Sequence, residues 1–456
     1  MKAREQIIME KKEKLFQNQD LRRLIIPLIF EQTLTIMVGT ADIMMISSAG
    51  EAAVSGVSLI DMVNNLVISI LAALATGGAV VTSQLLGARK KEEACRSSVQ
   101  LIVSSLLITL AVSVFVMVLN RPIIRLFFGK IEPDVFQNAR IYFLLSALSY
   151  PFLSVYNSEA ALFRAMNNSA VTFKTSIVMN IINVVGNAIG IFVLHAGVAG
   201  VAVPSLISRA VAAVILFVLL FDQSREIHIP REKLKLDPAL IRRMLYIGIP
   251  SGIENGIFQL GRVVVVSIIA TFGTVQIAAN GVANTLDSIG CISGQAMNLA
   301  FITVIGRCAG AGDEEQIRYY TKKMMFIAYA LQLVFCSFML SVVGLLLPLY
   351  GLSEETARLT EILVRMHNGF AIFLWPVSFT FPNMLRACND VRFTMGISIF
   401  SMILFRIGLS LVVAVHMGYG AIGVWFAMII DWVFRSICFI IRYRRGKWLK
   451  LTGLRK

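Results

Sequence analysis

Apolar runs long enough to cross a lipid bilayer recur from one end of this chain to the other, and no other feature restricts its fold as much. LVISILAALATGGAVVTSQLLG begins at Leu66, LIVSSLLITLAVSVFVMVL at Leu101 and FIAYALQLVFCSFMLSVVGLLL at Phe326. A helix needs roughly 20 such residues to cross about 30 Å of hydrocarbon. In lipid each backbone N–H and C=O must find its partner within the segment, so these runs become helices. Of the 456 residues, 57% are hydrophobic and 15% charged, against about 25% charged for a soluble domain. A soluble all-α protein would lack the polar surface to cover so many runs. Twelve spans are predicted, near residues 24–48, 52–86, 97–119, 136–164, 171–194, 198–221, 240–271, 276–308, 320–348, 358–387, 393–416 and 420–442.

The net charge of +15 is placed for topology rather than for a nucleic-acid partner. With the N-terminus inside, most Lys and Arg fall in cytoplasmic segments, as in GARKKEEACR and RYRRGKWLK. That is the positive-inside bias, and it predicts a multi-pass protein of the cell membrane with both termini cytoplasmic. Some of these clusters can also meet anionic membrane lipid. The opening MKAREQIIMEKKEKLFQNQDLRR is charged throughout and has no cleavable signal pattern, so the first span is expected to serve as its own insertion signal. The six cysteines have no metal-ligand spacing and are expected as free thiols.

The chain also repeats itself at an offset of about 223 residues. PLIFE at Pro27–Glu31 meets PSGIE at Pro250–Glu254, and LLGARKKEE at Leu85–Glu93 meets CAGAGDEE at Cys308–Glu315. LFRAMNN at Leu162–Asn168 meets MLRACND at Met384–Asp390, and GVAGVAV at Gly197–Val203 meets GAIGVWF at Gly420–Phe426. Six spans per half is an even number, so both halves enter the membrane with one orientation. The expected fold is all-α and integral to the membrane. Its twelve transmembrane helices form two parallel six-helix bundles, related by a pseudo-twofold along the membrane normal. The expected divisions are a cytoplasmic segment 1–23, an N-terminal lobe 24–221, a cytoplasmic linker 222–243, a C-terminal lobe 244–442 and a basic tail 443–456. Paired bundles leave a cleft whose walls can rock, the basis of alternating access.

Within the spans, a charge at mid-bilayer costs from about 2.5 to more than 10 kcal/mol, so it survives where it meets a cavity or a partner. The first span carries two, Glu31 and Asp42. Eleven residues apart, they fall within about 20° of one helix face and roughly 16 Å apart along it, with Thr35 between them. In the fifth span Ser176, Asn180, Asn183 and Asn187 are spaced i, i+4, i+7, i+11, a second polar face. A carboxylate among amide and hydroxyl oxygens suits Na⁺, a hard cation. A carboxylate in an apolar wall can instead carry a proton, and the amides can also simply tie helices together. The seventh span offers Glu254, then Asn255, Gln259 and Arg262, of which Arg262 can neutralise the acid. Asp287 lies in the eighth span. Arg406 and Asp431, in spans eleven and twelve, are placed to pair as a structural ion pair, whereas Glu159 and Arg209 lie near span ends, where heads snorkel to water. His195, His228, His367 and His416 share no motif. No P-loop, nucleophile elbow or zinc motif is present, so neither ATP-driven work nor an enzyme is expected.

PLIFEQTLTIMVGTADIMMIS, LFRAMNNSAVTF, GVAGVAVPSLIS, GIPSGIENGIFQLG and MLRACNDVRFT together resemble the MATE (multidrug and toxic compound extrusion) transporters over roughly residues 20–445. The resemblance implies an antiporter. It would export amphipathic, cationic organic compounds and drugs by alternating access, in exchange for Na⁺ or H⁺ as coupling ion and with no cofactor. It also implies a cation-coupling set of Asp42, Asn183, Asn187 and Ser205, with Glu254 as an acid of the second half. Asn187 stands where some relatives have an acid, which leaves H⁺ as open as Na⁺ at Asp42. Relatives often pair the Glu254 acid with an Asp in span ten, where this chain reads FLWPVSFTF; Asp287 is a possible substitute. Glu31, Thr35, Asn180, Asn255 and Gln259, with Asp287, are expected to line the substrate cleft, in a monomer. The alternative is a flippase for lipid-linked precursors, a related fold that would want a wide basic cleft and often further spans.

Overall fold

The computed structural model describes residues 14–230 and 236–452. Most of the expected segment 1–23, part of the linker 222–243 and the end of the tail 443–456 lie outside the described residues. All regular structure among the described residues is helical. α1 is Asn18–Ser47, α2 Glu51–Gly87, α3 Lys91–Val118 and α4, a short helix, Asn120–Phe128. α5 is Pro133–Ala165, α6 Ser169–Ala188 and α7 Ala199–Leu219. α8 is Pro238–Ala270, α9 Thr274–Gly290, α10 Ile292–Gly310, α11 Glu314–Leu346 and α12 Glu354–Trp375. α13 is Pro382–Ala387, α14 Val391–Ser401, α15 Gly420–Arg444 and α16 Lys447–Leu451. α6 runs on into a π-helical turn, Ile189–Val193; another, Pro376–Thr380, joins α12 to α13, and π segments Met402–Leu409 and Leu411–His416 extend α14.

Each of the twelve predicted spans is covered by one of these segments. Among the described residues ten helices have the length and hydropathy to cross a membrane, and α9 with α10, bent by 49° at their junction, make an eleventh. α5 is 33 residues long, about 50 Å at 1.5 Å per residue, so it has the length to span although it is richer in polar groups. Capping follows from local sequence where an oxygen is at hand. The Asp313 carboxylate accepts the Gln316 N–H at 3.1 Å to open α11, and the Ser353 hydroxyl accepts the Thr356 N–H at 3.3 Å to open α12. All six cysteines are free.

The chain forms two compact units, Phe30–Gly256 (the N unit) and Met1–Ile29 with Ile257–Lys456 (the C unit), divided within α1 and within α8. In the N unit α5 packs along α2, α3 and α7, and α6 lies against α7. Its cores gather Ile60, Leu71, Phe143 and Tyr150, and separately Ile46, Val57 and Val198. In the C unit α12 packs along α9, α11 and α15, and α15 meets the π segments after α14. Phe16, Leu24 and Leu28 join the core of Phe301, Tyr320 and Met384, and Trp375, Trp425 and Trp432 anchor a second core.

The two packing schemes correspond span for span, and so do the turns. Left-handed backbone recurs at Gly50 and Gly273, Arg89 and Gly312, Gly129 and Gly351, Asn167 and Asn389, His195 and Gly418, and Gly197 and Gly420. Each pair is 222 or 223 positions apart. A left-handed residue usually needs Gly or Asn, so the repeat that is faint in sequence is sharp in backbone conformation. The helix contacts repeat as well. A Cβ on Gly190 would run into the backbone of Gly200, and a Cβ on Gly423 would sit 2.9 Å from the Ala414 backbone. The GVAG and GAIG motifs are therefore close-approach points between neighbouring helices.

Candidate functional site

In the N unit, α6 turns Ser176, Asn180, Asn183 and Asn187 inward, and all four are buried. The i, i+4, i+7, i+11 spacing lines them along one face. The Asn187 amide donates to Asp42 Oδ1 at 2.7 Å and, at 3.4 Å, to Asn183 Oδ1. Asn183 donates to the Ser205 hydroxyl at 2.8 Å, and Ser205 donates to the Val201 carbonyl at 2.9 Å. Asp42, Asn183, Asn187 and Ser205 thus form one hydrogen-bonded chain across α1, α6 and α7. Asp42 is half-buried, so its carboxylate keeps an open side. The Asn187 carbonyl oxygen is buried without a hydrogen-bond partner. An acceptor oxygen left over beside a carboxylate is what a small cation needs. The helix slackens into its π turn two residues after Asn187, a departure common at functional sites.

A second group in the same unit went unnoticed in the sequence. Tyr142 of α5 donates to Asp61 Oδ1 of α2 at 2.9 Å. Asn64, one turn along α2, donates to the Ser146 hydroxyl at 3.1 Å and accepts from the Tyr150 hydroxyl at 2.6 Å. Arg209 of α7 donates to Ser149 at 2.6 Å. Arg209, expected near a span end with its head in water, is instead held by a buried serine of α5. Its charge acts on both Asp42 and Asp61, and the two acids act on each other.

The other predicted residues are placed differently. Glu31 is buried, accepts the Thr172 hydroxyl at 3.0 Å and lies 3.7 Å from the Arg164 guanidinium. Thr35 is exposed and spends its hydroxyl on the Glu31 carbonyl at 2.9 Å. Asn180 donates to Ser176 at 3.2 Å. Glu159, expected to snorkel, is fully buried, and neither carboxyl oxygen has a hydrogen-bond partner; the helices around α5 enclose it well inside its end. Glu254 is buried in the N unit, where Asn255 donates to the Ser69 carbonyl at 3.2 Å. Gln259 is half-buried and Arg262 exposed, both in the C unit. Asp287 is bonded within the C unit by Asn368 of α12 at 2.6 Å. Arg406 and Asp431 come within 4.0 Å, with Ser401 donating to Asp431 and the Arg406 guanidinium 5.0 Å from the Phe258 ring centre.

The MatE family model matches residues 27–189 and matches again at 250–412. The chain belongs to the MatE family. Its two matched stretches begin 223 residues apart, the offset of the internal repeat. The MatE assignment makes it a transporter rather than an enzyme and, with its many apolar helices, a multi-pass membrane protein. Among curated proteins it is similar to the uncharacterized transporter YisQ of Bacillus subtilis, at 25% identity over 93% of each chain. It is also similar to the probable multidrug resistance protein NorM of Thermotoga maritima, at 23% identity over 96% of this chain and 94% of that one. Among solved structures, a multidrug resistance MATE family transporter of the MOP superfamily in an outward-facing conformation superposes with a TM-score of 0.88. The identity there is 19%, over 96% of each chain.

Proposed function

We propose that this MatE protein is a secondary active antiporter of the cell membrane. It exports amphipathic, cationic organic compounds and drugs by alternating access, in exchange for Na⁺ or H⁺. One observation carries the reading: the Asp42 carboxylate is held at 2.7 Å by Asn187, whose buried side-chain oxygen has no hydrogen-bond partner, with Asn183 and Ser205 next in the same chain. A carboxylate among such oxygens suits a single monovalent cation. Na⁺ would take Asp42 with the Asn187 and Asn183 oxygens and the Ser205 hydroxyl; H⁺ would take Asp42 alone. Either ion neutralises the acid that a cationic substrate would otherwise seek, and this competition is the simplest coupling device. The multidrug names of its relatives, NorM among them, support the substrate class. The chain is expected to work as a monomer with both termini in the cytoplasm.

Proteoliposomes loaded with a fluorescent organic cation test the proposal under imposed Na⁺ or H⁺ gradients. Gradient-driven efflux by the wild type and its loss in Asp42→Asn, at equal reconstitution, are expected. Efflux that ignores both gradients, or that survives Asp42→Asn, overturns it. Translocation of a lipid-linked sugar instead of the dye would point to the flippase.

A further inference from the structure

The N unit holds a cavity that the Asp42 reading does not use. Its volume is about 1110 Å³, and residues 125–144, from the end of α4 into α5, line it. Arg125, Lys130 and Arg140 supply three cations; Ile131, Phe136 and Leu144 supply apolar wall. No acid is among the described residues that line it. Glu132 and Asp134, close in sequence, are exposed outside that lining. The Arg125 guanidinium, at the exposed edge, lies 5.9 Å from the Phe136 ring centre. Arg140 Nε is buried and has no hydrogen-bond partner. A buried guanidinium N–H calls for an acceptor.

The cavity stands at a membrane boundary. The spans α1, α2 and α3 precede it, so α4 lies at the face opposite the one where α1 starts. Ile124 of α4 is fully buried and Phe128 packs on the N-unit core, whereas Leu126 is 82% exposed and Phe127 is exposed beside it. A short helix with one apolar face in the protein, another uncovered and cations beside them is built for the headgroup layer. The expected topology places this face outside, where the positive-inside bias depletes Lys and Arg, so three cations in one cavity run against that bias. The fold does not require them either. Gly129 and Gly351 set the repeat offset here at 222, and at that offset Arg125, Lys130 and Arg140 match Leu347, Leu352 and Ile362.

We propose that this cavity binds the headgroup of an anionic phospholipid, with Arg125, Lys130 and Arg140 meeting its phosphate. Guanidinium groups match phosphate oxygens as a planar fork, and the lysine adds a point charge. Small-molecule pockets run to about 1,000 Å³, so a glycerophosphate headgroup has room to enter whole. The uncovered Leu126 and Phe127 give its acyl chains an apolar surface to follow. A soluble phosphate ester offers the same phosphate but no chain to lie there, and an organic cation carries the wrong charge. The site stands whether or not Asp42 couples transport.

An indole beside the cavity tests the proposal, because bromine on a lipid chain quenches indole fluorescence on contact. All four native tryptophans lie in the C unit, so Phe127→Trp adds a reporter that subtraction of the parent protein isolates. The full-length protein is placed in nanodiscs of phosphatidylcholine and phosphatidylglycerol in equal amounts, with the chains of one lipid or the other brominated. Brominated phosphatidylglycerol is expected to quench the added indole more strongly than brominated phosphatidylcholine. Arg140→Gln is expected to lower that preference by about fivefold. Arg121→Gln, exposed on α4 but outside the cavity lining, is expected to leave it in place. Should Arg140→Gln fail to fold, Arg125→Gln with Lys130→Gln, both exposed, must lower it as well. Equal quenching by the two lipids overturns the proposal, as does an equal fall in Arg121→Gln, which would mean diffuse surface charge. So does relief of the quenching by millimolar glycerol 3-phosphate, since the cavity would then take a soluble phosphate ester.

Discussion

The N unit and the C unit repeat one backbone but carry different charge. Turn residues with left-handed backbone recur in both at 222 to 223 positions' separation, and the helix pairs pack in the same scheme. The side chains at matched positions do not follow. Asp42, Asp61 and Arg209 of the N unit correspond to Val265, Asn284 and Trp432 of the C unit. Conversely Asn64 and Ser146, which share a neutral hydrogen bond, correspond to Asp287 and Asn368, where an acid accepts the bond and a histidine stands beside it. Duplication kept what close packing and special backbone angles demand, because any deviation there costs stability at once. The polar positions facing inward were free to change chemistry. The buried acids of the two units therefore stand at different addresses.

The largest test of that asymmetry exchanges the matched residues. Asp42→Val installs the C-unit residue in the N unit and is expected to lower gradient-driven efflux by about 100-fold, or about 2.7 kcal/mol of coupling. Adding Val265→Asp in the same chain is not expected to restore it, because the position lacks an Asn187-like amide and an arginine partner. Recovery of efflux by the double variant in proteoliposomes would show that the units are interchangeable.

An effect on stability rather than on transport is expected where the N unit ties α1 to its neighbours. Arg164→Gln strips the guanidinium from Glu31, which keeps only the Thr172 hydroxyl among its described side-chain partners. An uncompensated buried charge of this kind costs about 3 kcal/mol, read as a lower melting temperature in detergent. Adding Glu31→Gln is expected to return most of that loss, since no charge then needs a partner. If the double variant is no more stable than Arg164→Gln, the ion pair does not hold this end of α1.

These expectations show where sequence was informative. The twelve spans were legible because apolar length is a one-dimensional signal, and the repeat because PLIFE, GVAG and their counterparts keep one offset. Asn183 and Asn187 were legible because they share one helix face, and Asp42 because an acid in an apolar run stands out. Asp61 stands out by the same rule, but its meaning comes from Tyr142 and Arg209, on helices brought together only by packing. His367 belongs to no motif, and its place beside Asp287 of another helix comes from packing alone. Arg209 and Glu159 were misjudged because distance from a span end does not reveal which neighbours enclose a head group. The 49° break at Gly290 leaves no mark stronger than one glycine.

The close-approach glycines test the shared half of the comparison. Gly200→Ala pushes a methyl into the Gly190 backbone, and its counterpart Gly423→Ala pushes one into the Ala414 backbone. Overpacking of this sort costs about 1–3 kcal/mol. Since the contact is the same in both units, the two losses should agree. A tolerated alanine at one site only would mean that the repeat has loosened there.

The smallest effect separates a neutral bond from a charged one at the same place in the fold. Ser146→Ala removes the acceptor for Asn64, which still receives the Tyr150 hydroxyl at 2.6 Å. A neutral hydrogen bond is worth about 1 kcal/mol net, one to a charged group about 1.5–3 kcal/mol. Asn368→Ala removes a donor from Asp287 and should therefore cost about twice as much as Ser146→Ala, as judged by melting temperature at pH 8. Equal losses would mean that the matched positions differ in name but not in electrostatics.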